Sequence, residues 1–157
     1  MQNFWKLIIS FLVVFVAALA GSMATTNAIP TWYAELNRTA ITPPNWVFGP
    51  AWTLLYILMA AALYLVWRAN IKKTETRQAL VLFGAQLALN AFWSIIFFGS
   101  HQILLAFVEI IALWITILLT IIWFSKISRL AAWLLVPYVA WVTFAGILNF
   151  ATYLVNR

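Results

Sequence analysis

Residues 102–124 read QILLAFVEIIALWITILLTIIWF, an apolar run that carries a single charge, Glu109. A helix needs about 20 such residues to cross the hydrocarbon of a bilayer, and this run is long enough. Outward from it lie four more runs of the same kind, at 4–24, 46–67, 79–98 and 130–155. Aromatic and β-branched residues are frequent, but no run alternates with period two over a strand length, which disfavours a transmembrane barrel. Apolar character that continues across each whole run fits helices that satisfy their own backbone and face lipid. The expected fold class is an all-α membrane protein: residues 1–157 as a single domain, a bundle of five transmembrane helices.

Composition agrees. Of 157 residues, 66% are hydrophobic and 8% are charged, against roughly half and a quarter in an ordinary soluble domain. A soluble globule of this size leaves too much surface exposed to hide the excess. That excludes a soluble enzyme, a disordered regulator and a secreted disulfide scaffold. The chain has no cysteine, hence no disulfide framework, thiolate nucleophile or Cys-based metal site. Its acids are Glu35, Glu75 and Glu109, and its only histidine is His101.

The net charge of +6 does not point to nucleic acid, because the basic residues are spread over loops between the apolar runs. There they act as topology signals. With five spans, the N-terminal side carries Lys6, Arg68, Lys72, Lys73, Arg77, Lys126 and Arg129, and the other side carries Arg38 and Arg157. The N-terminus is expected in the cytoplasm, with the first loop and the C-terminus outside. The expected location is the cell membrane of a bacterium.

The connections are unequal. Residues 99–100 and 125–128 form tight turns, so the third, fourth and fifth helices should be sequential antiparallel neighbours. Residues 68–77 form a short polar loop. The first connection, 25–45, is long and carries Pro30, Trp32, Tyr33, Pro43 and Pro44. Long loops in compact proteins are usually functional or disordered; this one is aromatic and proline-rich, and we read it as packed. Lys6, an apolar stretch and Ala20, Gly21, Ser22 and Ala24 imitate a signal peptide. The stretch is long for such a segment, and Ala17/Gly21 and Ala20/Ala24 are spaced for helix packing, so it is read as a retained span.

Ten tryptophans are far more than usual. Trp5, Trp67, Trp123 and Trp133 lie near span ends, where interfacial belts form. The others fall inside. Trp52 and Tyr56 are four apart on the second helix and share a face. Asn90 and Trp93 are three apart on the third. Trp141, Ala145 and Leu148 follow at i, i+4 and i+7 on the fifth. Aromatic stripes are more often helix–helix packing. If these faces converge, they instead wall a cavity suited to a large, flat, apolar ligand.

A specific resemblance bears on this choice. Residues 32–36 read WYAEL and residues 43–56 read PPNWVFGPAWTLLY. Together with Met59, residues 65–67, Leu89, Asn90, Trp93, Phe97, Phe98, Pro137, Tyr138 and 141–149, they resemble the signature of the translocator protein family. That family is also called the tryptophan-rich sensory proteins or peripheral benzodiazepine receptors. Three positions depart from it: Thr39 stands where proline is usual, Ile41 where an aromatic is common, and Ala60 where glycine is frequent.

The resemblance implies a five-helix bundle with a pocket opening toward the first loop. Its implied ligands are porphyrins such as protoporphyrin and haem, sterol-like lipids, and benzodiazepine- or isoquinoline-type drugs. It assigns binding positions to Trp32, Tyr33, Pro44, Trp46, Trp52, Tyr56, Asn90, Trp93, Trp141, Ala145 and Leu148. Trp52 and Trp141 should flank the ligand, Asn90 should offer a hydrogen bond, and Trp32 should close the top. The resemblance also implies an alternative, light-dependent oxidative breakdown of protoporphyrin, with Trp52 and Trp141 as the catalytic residues. An indole can donate an electron to an excited porphyrin stacked nearby. No cofactor is required on either reading, since porphyrin or haem is ligand, and no metal site is expected.

Other polar positions read as follows. Asn90 and Asn149 inside spans suit interhelical hydrogen bonds. Glu109 is the only acid within a span, a functional candidate by default, either protonated or paired near one end. His101 at a turn suits an interfacial role better than haem ligation. Leu148, Tyr153 and Arg157 fit the loose pattern proposed for sterol contact. Gly84 and Ala88 on the third helix are four apart, which suggests a homodimer face.

Overall fold

The computed structural model describes residues 2–69 and 74–157. Five helices in it are long and apolar enough to cross a membrane. Element α1 is Gln2–Ala28, α2 the short helix Trp32–Glu35, and α3 Asn45–Trp67. Element α4 is Thr74–Ser94, prolonged by a π-helical turn over Ile95–Gly99, and α5 is Ile103–Ser125. The fifth span is two pieces, α6 Arg129–Leu134 and α7 Val136–Val155. The expected all-α five-span bundle is thus the observed fold; Lys72 and Lys73, used for orientation, lie outside the described residues.

Each span buries one stripe and shows the rest to lipid. In α1 the buried stripe is Ser10, Val14, Gly21 and Ala28, while Leu12, Val16, Leu19 and Met23 stay exposed. These are helical spacings on opposite faces. Gly21 lets α1 approach α4, since a Cβ there would stand 3.2 Å from Ser94 Oγ. Hydroxyls in the apolar helices donate to carbonyls one turn back, as Ser10 does to Lys6 and Thr120 to Thr116. Such back-bonds satisfy polar groups that hydrocarbon cannot.

Two irregularities shape the bundle. At the end of α4, the Ser100 N–H donates to the Ile95 carbonyl at 2.9 Å, an i to i−5 bond. Such π turns carry extra residues per turn and recur at functional sites. In the fifth span, Ser128 caps α6 by accepting from the Ala131 N–H at 3.3 Å. Pro137 then lacks the N–H that would continue the ladder, so α6 ends and α7 begins afresh.

The most extensive interface joins α4 to α5, followed by α5 to α7 and α1 to α3. The last three spans are therefore sequential neighbours, as their tight turns implied. Element α3 leans on α6 far more than on α7. Beside the first half of α3, this leaves room against α7.

The ends are tied down. Lys6 Nζ donates to the last carbonyl of α3, Trp67, at 3.2 Å, where the helix dipole is negative. Lys126 stands 4.0 Å over the Trp123 ring. At the opposite end, Asn37 N–H donates to Asn156 Oδ1 at 2.8 Å, and Asn156 Nδ2 donates to the Asn37 carbonyl at 3.1 Å. The first loop is thus packed onto the C-terminal end of α7. Burial pushes the Tyr33 phenol in this loop above its ordinary pKa, with Arg38 opposing.

Candidate functional site: an aromatic cavity between α1, α3, α4 and α7

The gap between α3 and α7 is a cavity of about 500 Å³. That lies in the range typical of small-molecule sites. Element α3 contributes Trp46, Phe48, Trp52 and Tyr56, and α7 contributes Trp141, Ala145, Leu148 and Asn149. The end of α4 adds Trp93, Phe97 and Phe98, and Tyr33 projects from the first loop. Among the apolar lining residues, Leu19 and Trp46 are the most exposed, at 63% and 75%. The open side therefore lies between α1 and α3, with the first connection as its roof.

The rings are held against one another. Trp52 stacks on Tyr56 with centroids 5.4 Å apart and stands edge-on to Tyr138 at 6.3 Å. Across the gap, Trp141 meets Phe48 edge-on at 6.1 Å, and along its own helix it leans on Phe144 at 5.7 Å. The π turn brings Phe97 under Trp93, stacked at 5.2 Å. Aromatic side chains packed this way present rigid faces with little entropy to lose on binding.

Hydrogen bonding separates the tryptophans. Trp93 Nε1 donates to Asn149 Oδ1 at 3.1 Å, and Trp114 Nε1 donates to Thr143 Oγ1 at 2.8 Å. The indole N–H groups of Trp52 and Trp141 find no acceptor among the described residues, although both rings line the cavity. Both are available as donors, as is the Trp46 indole, which also lines the cavity without an acceptor among the described residues. The hydroxyls of Ser22, Thr25 and Thr26 are spent on their own helix, so they offer only acceptor lone pairs. Among the described residues no group of three His, Cys, Asp or Glu could hold a metal ion.

The structure brings most of the expected binding residues together: Tyr33, Trp46, Trp52, Tyr56, Trp93, Trp141, Ala145 and Leu148 all line the cavity. Trp32, Pro44 and Asn90 do not. The Trp32 ring stacks on His101 at 4.3 Å and stands edge-on to Phe97 at 5.6 Å, so it pins the first loop to the π turn. His101 is held there with φ 56°, an unusual value for a non-glycine residue. Asn90 is 3% exposed, and both its amide oxygen and its amide nitrogen are hydrogen-bonded. Its Oδ1 accepts from Tyr56 at 2.8 Å and its Nδ2 donates to the Tyr138 hydroxyl at 3.0 Å. It faces the bundle core behind the cavity wall.

The sterol-contact pattern also separates. Leu148 points into the cavity, Tyr153 lies against Phe150 with centroids 6.4 Å apart, and Arg157 is exposed. Five residues along a helix turn about 140° beyond a full circle, so Leu148 and Tyr153 cannot share one face. Asn149 makes the interhelical bonds expected of it, accepting from Trp93 and donating Nδ2 to the Ile103 carbonyl at 2.9 Å.

Sequence reasoning missed the wall from α1, made by Phe15, Leu19, Ser22 and Thr26. Their i, i+4, i+7, i+11 spacing was a readable signal. It missed Phe48 and the use of Phe97 and Phe98 as well. For the last two nothing in the sequence announces the π turn that aims them.

Five membrane-spanning helices around an aromatic cavity roofed by a packed loop define a multi-pass membrane protein with an apolar internal cavity. The TspO/MBR family profile matches residues 9–154. The chain is 46% identical over 155 residues to the tryptophan-rich protein TspO of Archaeoglobus fulgidus, covering 99% of each. It is 36% identical to the tryptophan-rich sensory protein of Cereibacter sphaeroides over 155 residues, 97% of this chain and 92% of that one. With the translocator protein of Homo sapiens it shares 40% identity over 127 residues, 80% of this chain and 75% of the other. The chain belongs to the TspO/MBR family.

Proposed function

We propose that this protein is a membrane receptor or transport protein whose cavity binds porphyrins (protoporphyrin or haem), sterol-like lipids, and benzodiazepine- or isoquinoline-type molecules. The observation that carries the reading is the pair Trp52 and Trp141, set on different helices of one cavity with unpaired N–H groups. A flat conjugated ligand gains two aromatic faces and two donors there. Names given to relatives, translocator and sensory protein, agree with a binding or transport role. No resident cofactor is needed; the tetrapyrrole is ligand.

A second reading, light-dependent oxidative degradation of protoporphyrin, is favoured by the Trp52–Tyr56 stack at 5.4 Å. An excited porphyrin can take an electron from an adjacent indole, and the phenol behind it extends the donor. The terminal oxidant is dissolved dioxygen. Titration of the purified protein with protoporphyrin in the dark, followed by illumination, separates the readings. Saturable binding with unchanged pigment in light supports the receptor, a new absorbing product supports the enzyme, and no saturation removes both.

We place the protein in a bacterial cell membrane with the N-terminus in the cytoplasm and the C-terminus outside. The support is the basic bias at the end of the bundle that holds Lys6, Arg68, Lys126 and Arg129. A reporter enzyme active only outside the cytoplasm, fused after Arg157, is expected to be active. Activity of a cytoplasm-restricted reporter there would reverse the topology.

We also propose that two copies pair through α4. Gly84 and Ala88 are exposed on its outer face, and a Cβ at Gly84 would meet nothing within 4 Å. Small residues four apart permit close approach of two backbones in lipid. Gly84→Leu should lower the cross-linked dimer fraction in mild detergent while leaving the monomer folded. An unchanged fraction assigns the dimer to another face.

A further inference from the structure

The open side of the cavity has a cause in the sequence. Gly21 brings α1 against Ser94 of α4, and Gly99, at the end of the π turn, holds its Cβ position 3.6 Å from the Ala24 methyl. Drawn to α4 at these two glycines, the half of α1 nearest the first loop stands off from α3. Further along, the α1–α3 seam closes. Val14 is fully buried, and the Phe15 and Tyr56 rings lie 6.4 Å apart.

Between Phe15 and the first loop the seam is a slot. Its α1 lip is Leu19, Ser22 and Thr26, and its α3 lip is Trp46, Gly49 and Thr53. All six line the cavity and all six are exposed. By the helical rise, Leu19 lies about 14 Å from the end of α1, and half of the hydrocarbon core is about 15 Å. The slot therefore faces the acyl chains of one leaflet, the one on the first-loop side. Gly49 stands in the middle of its lip. A Cβ there would meet nothing within 4 Å, so no packing contact demands glycine, and glycine weakens a helix relative to alanine. The missing side chain keeps the slot clear.

The roof is held on the sides away from the slot. Trp32 stacks on His101, Tyr33 stands edge-on to Phe98 at 5.5 Å, and Asn37 and Asn156 exchange two hydrogen bonds. A molecule arriving from water has to break these ties, whereas one dissolved in the leaflet displaces only lipid. Polarity along the slot runs as it does in a lipid. At the first-loop end lie the free Trp46 N–H and Asn45, whose oxygen is buried without a partner among the described residues. At the inner end lie Phe15 and Leu19.

We propose that the cavity is loaded sideways from the leaflet on the first-loop side, through the slot between α1 and α3, with Gly49 as its threshold. This route rests on the cavity being a ligand site. The ligands it takes are amphiphiles that already lie in that leaflet with their polar groups toward the headgroups, and they enter without turning over.

The chain has no cysteine, so pairs can be introduced into the full chain in lipid vesicles and bridged with a reversible bifunctional methanethiosulfonate. Leu19→Cys with Gly49→Cys bridges the slot, and Asn37→Cys with Asn156→Cys bridges the roof. Loss of both thiols confirms each bridge. Stopped-flow tryptophan fluorescence then follows binding of a neutral isoquinoline carboxamide. The slot bridge should slow association by about tenfold or more, on the scale of a path that needs a conformational change, and reduction should restore the rate. The roof bridge should leave the rate as it is in its reduced form. A roof bridge that slows association, or a slot bridge that does not, overturns the route. Gly49→Trp needs no bridge. It should slow association and dissociation alike, as a blocked path does, whereas a damaged site releases its ligand faster. Wild-type rates, or faster release alone, overturn the role of Gly49. If the wild type itself shows no saturable binding, the cavity reading fails and the route goes with it; saturable binding with the wrong bridge slowed refutes the route alone.

Discussion

Protoporphyrin bound to Trp52→Phe or to Trp141→Phe should survive illumination unchanged if the photo-oxidative reading is right, while both variants keep most of their affinity. Phenylalanine retains an apolar ring for stacking but has no N–H and is harder to oxidise than indole. The structure makes these clean substitutions. Neither indole N–H bonds to another described residue, so removing it strands no acceptor. Trp93→Phe is the contrasting case, because it leaves Asn149 Oδ1 without its donor. Truncation differs from replacement: Trp141→Ala loses the whole face and should weaken porphyrin binding by about 1–3 kcal/mol, on the scale of base–aromatic stacking. Absorbance titration gives the affinities and illumination of the saturated complex gives the turnover. If both Phe variants bind and consume pigment like wild type, the indoles take no part in the chemistry. The protein is then a binding protein in which porphyrin reacts passively.

The second large effect concerns the core behind the cavity. Tyr138 is fully buried, touches Trp52 edge-on at 6.3 Å and holds its hydroxyl against Asn90. Tyr138→Ala should destabilise the bundle by about 3–5 kcal/mol, the range for emptying a large aromatic site in a packed core. Tyr138→Phe keeps the ring and loses one hydrogen bond, for about 0.5–1.5 kcal/mol, nearer the low end in a membrane, where such bonds average about 0.6 kcal/mol. Unfolding titrations in mixed micelles measure both. Equal losses for the two variants would mean that the polar hub, not ring packing, holds α7 in place.

Much of the architecture was legible because the bilayer imposes it. Backbone groups in hydrocarbon must be paired internally, so five apolar runs of spanning length leave little alternative to five helices. Tight turns at 99–100 and 125–128 then made neighbours of the last three spans. The span limits were less legible. Element α1 runs to Ala28, past the expected end at residue 24, because Thr25 and Thr26 return their hydroxyls to the helix and remain compatible with it. The break between α6 and α7 was marked by Pro137, although the span reads as continuous by hydropathy alone.

The sequence by itself determined the number of spans, the packed first loop, and the helix faces that carry Trp52, Tyr56, Trp93, Trp141 and Leu148. These are properties of local spacing, since residues three or four apart on a helix must share a side. Tertiary structure alone decided which of those faces surround a space and which are filled by a neighbour. Trp52 and Trp141 meet the cavity because α3 leans toward α6 and away from α7. Asn90, one turn from Trp93 on the same helix, is instead closed off by Tyr56 and Tyr138. The π turn at Ile95–Gly99 rotates Phe97 and Phe98 into the wall, and no residue type there demands it. Spacing along one helix states where a side chain points relative to its own axis; whether that direction holds a ligand, a partner ring or lipid depends on how far apart the axes stand, and that is set by every contact in the bundle at once.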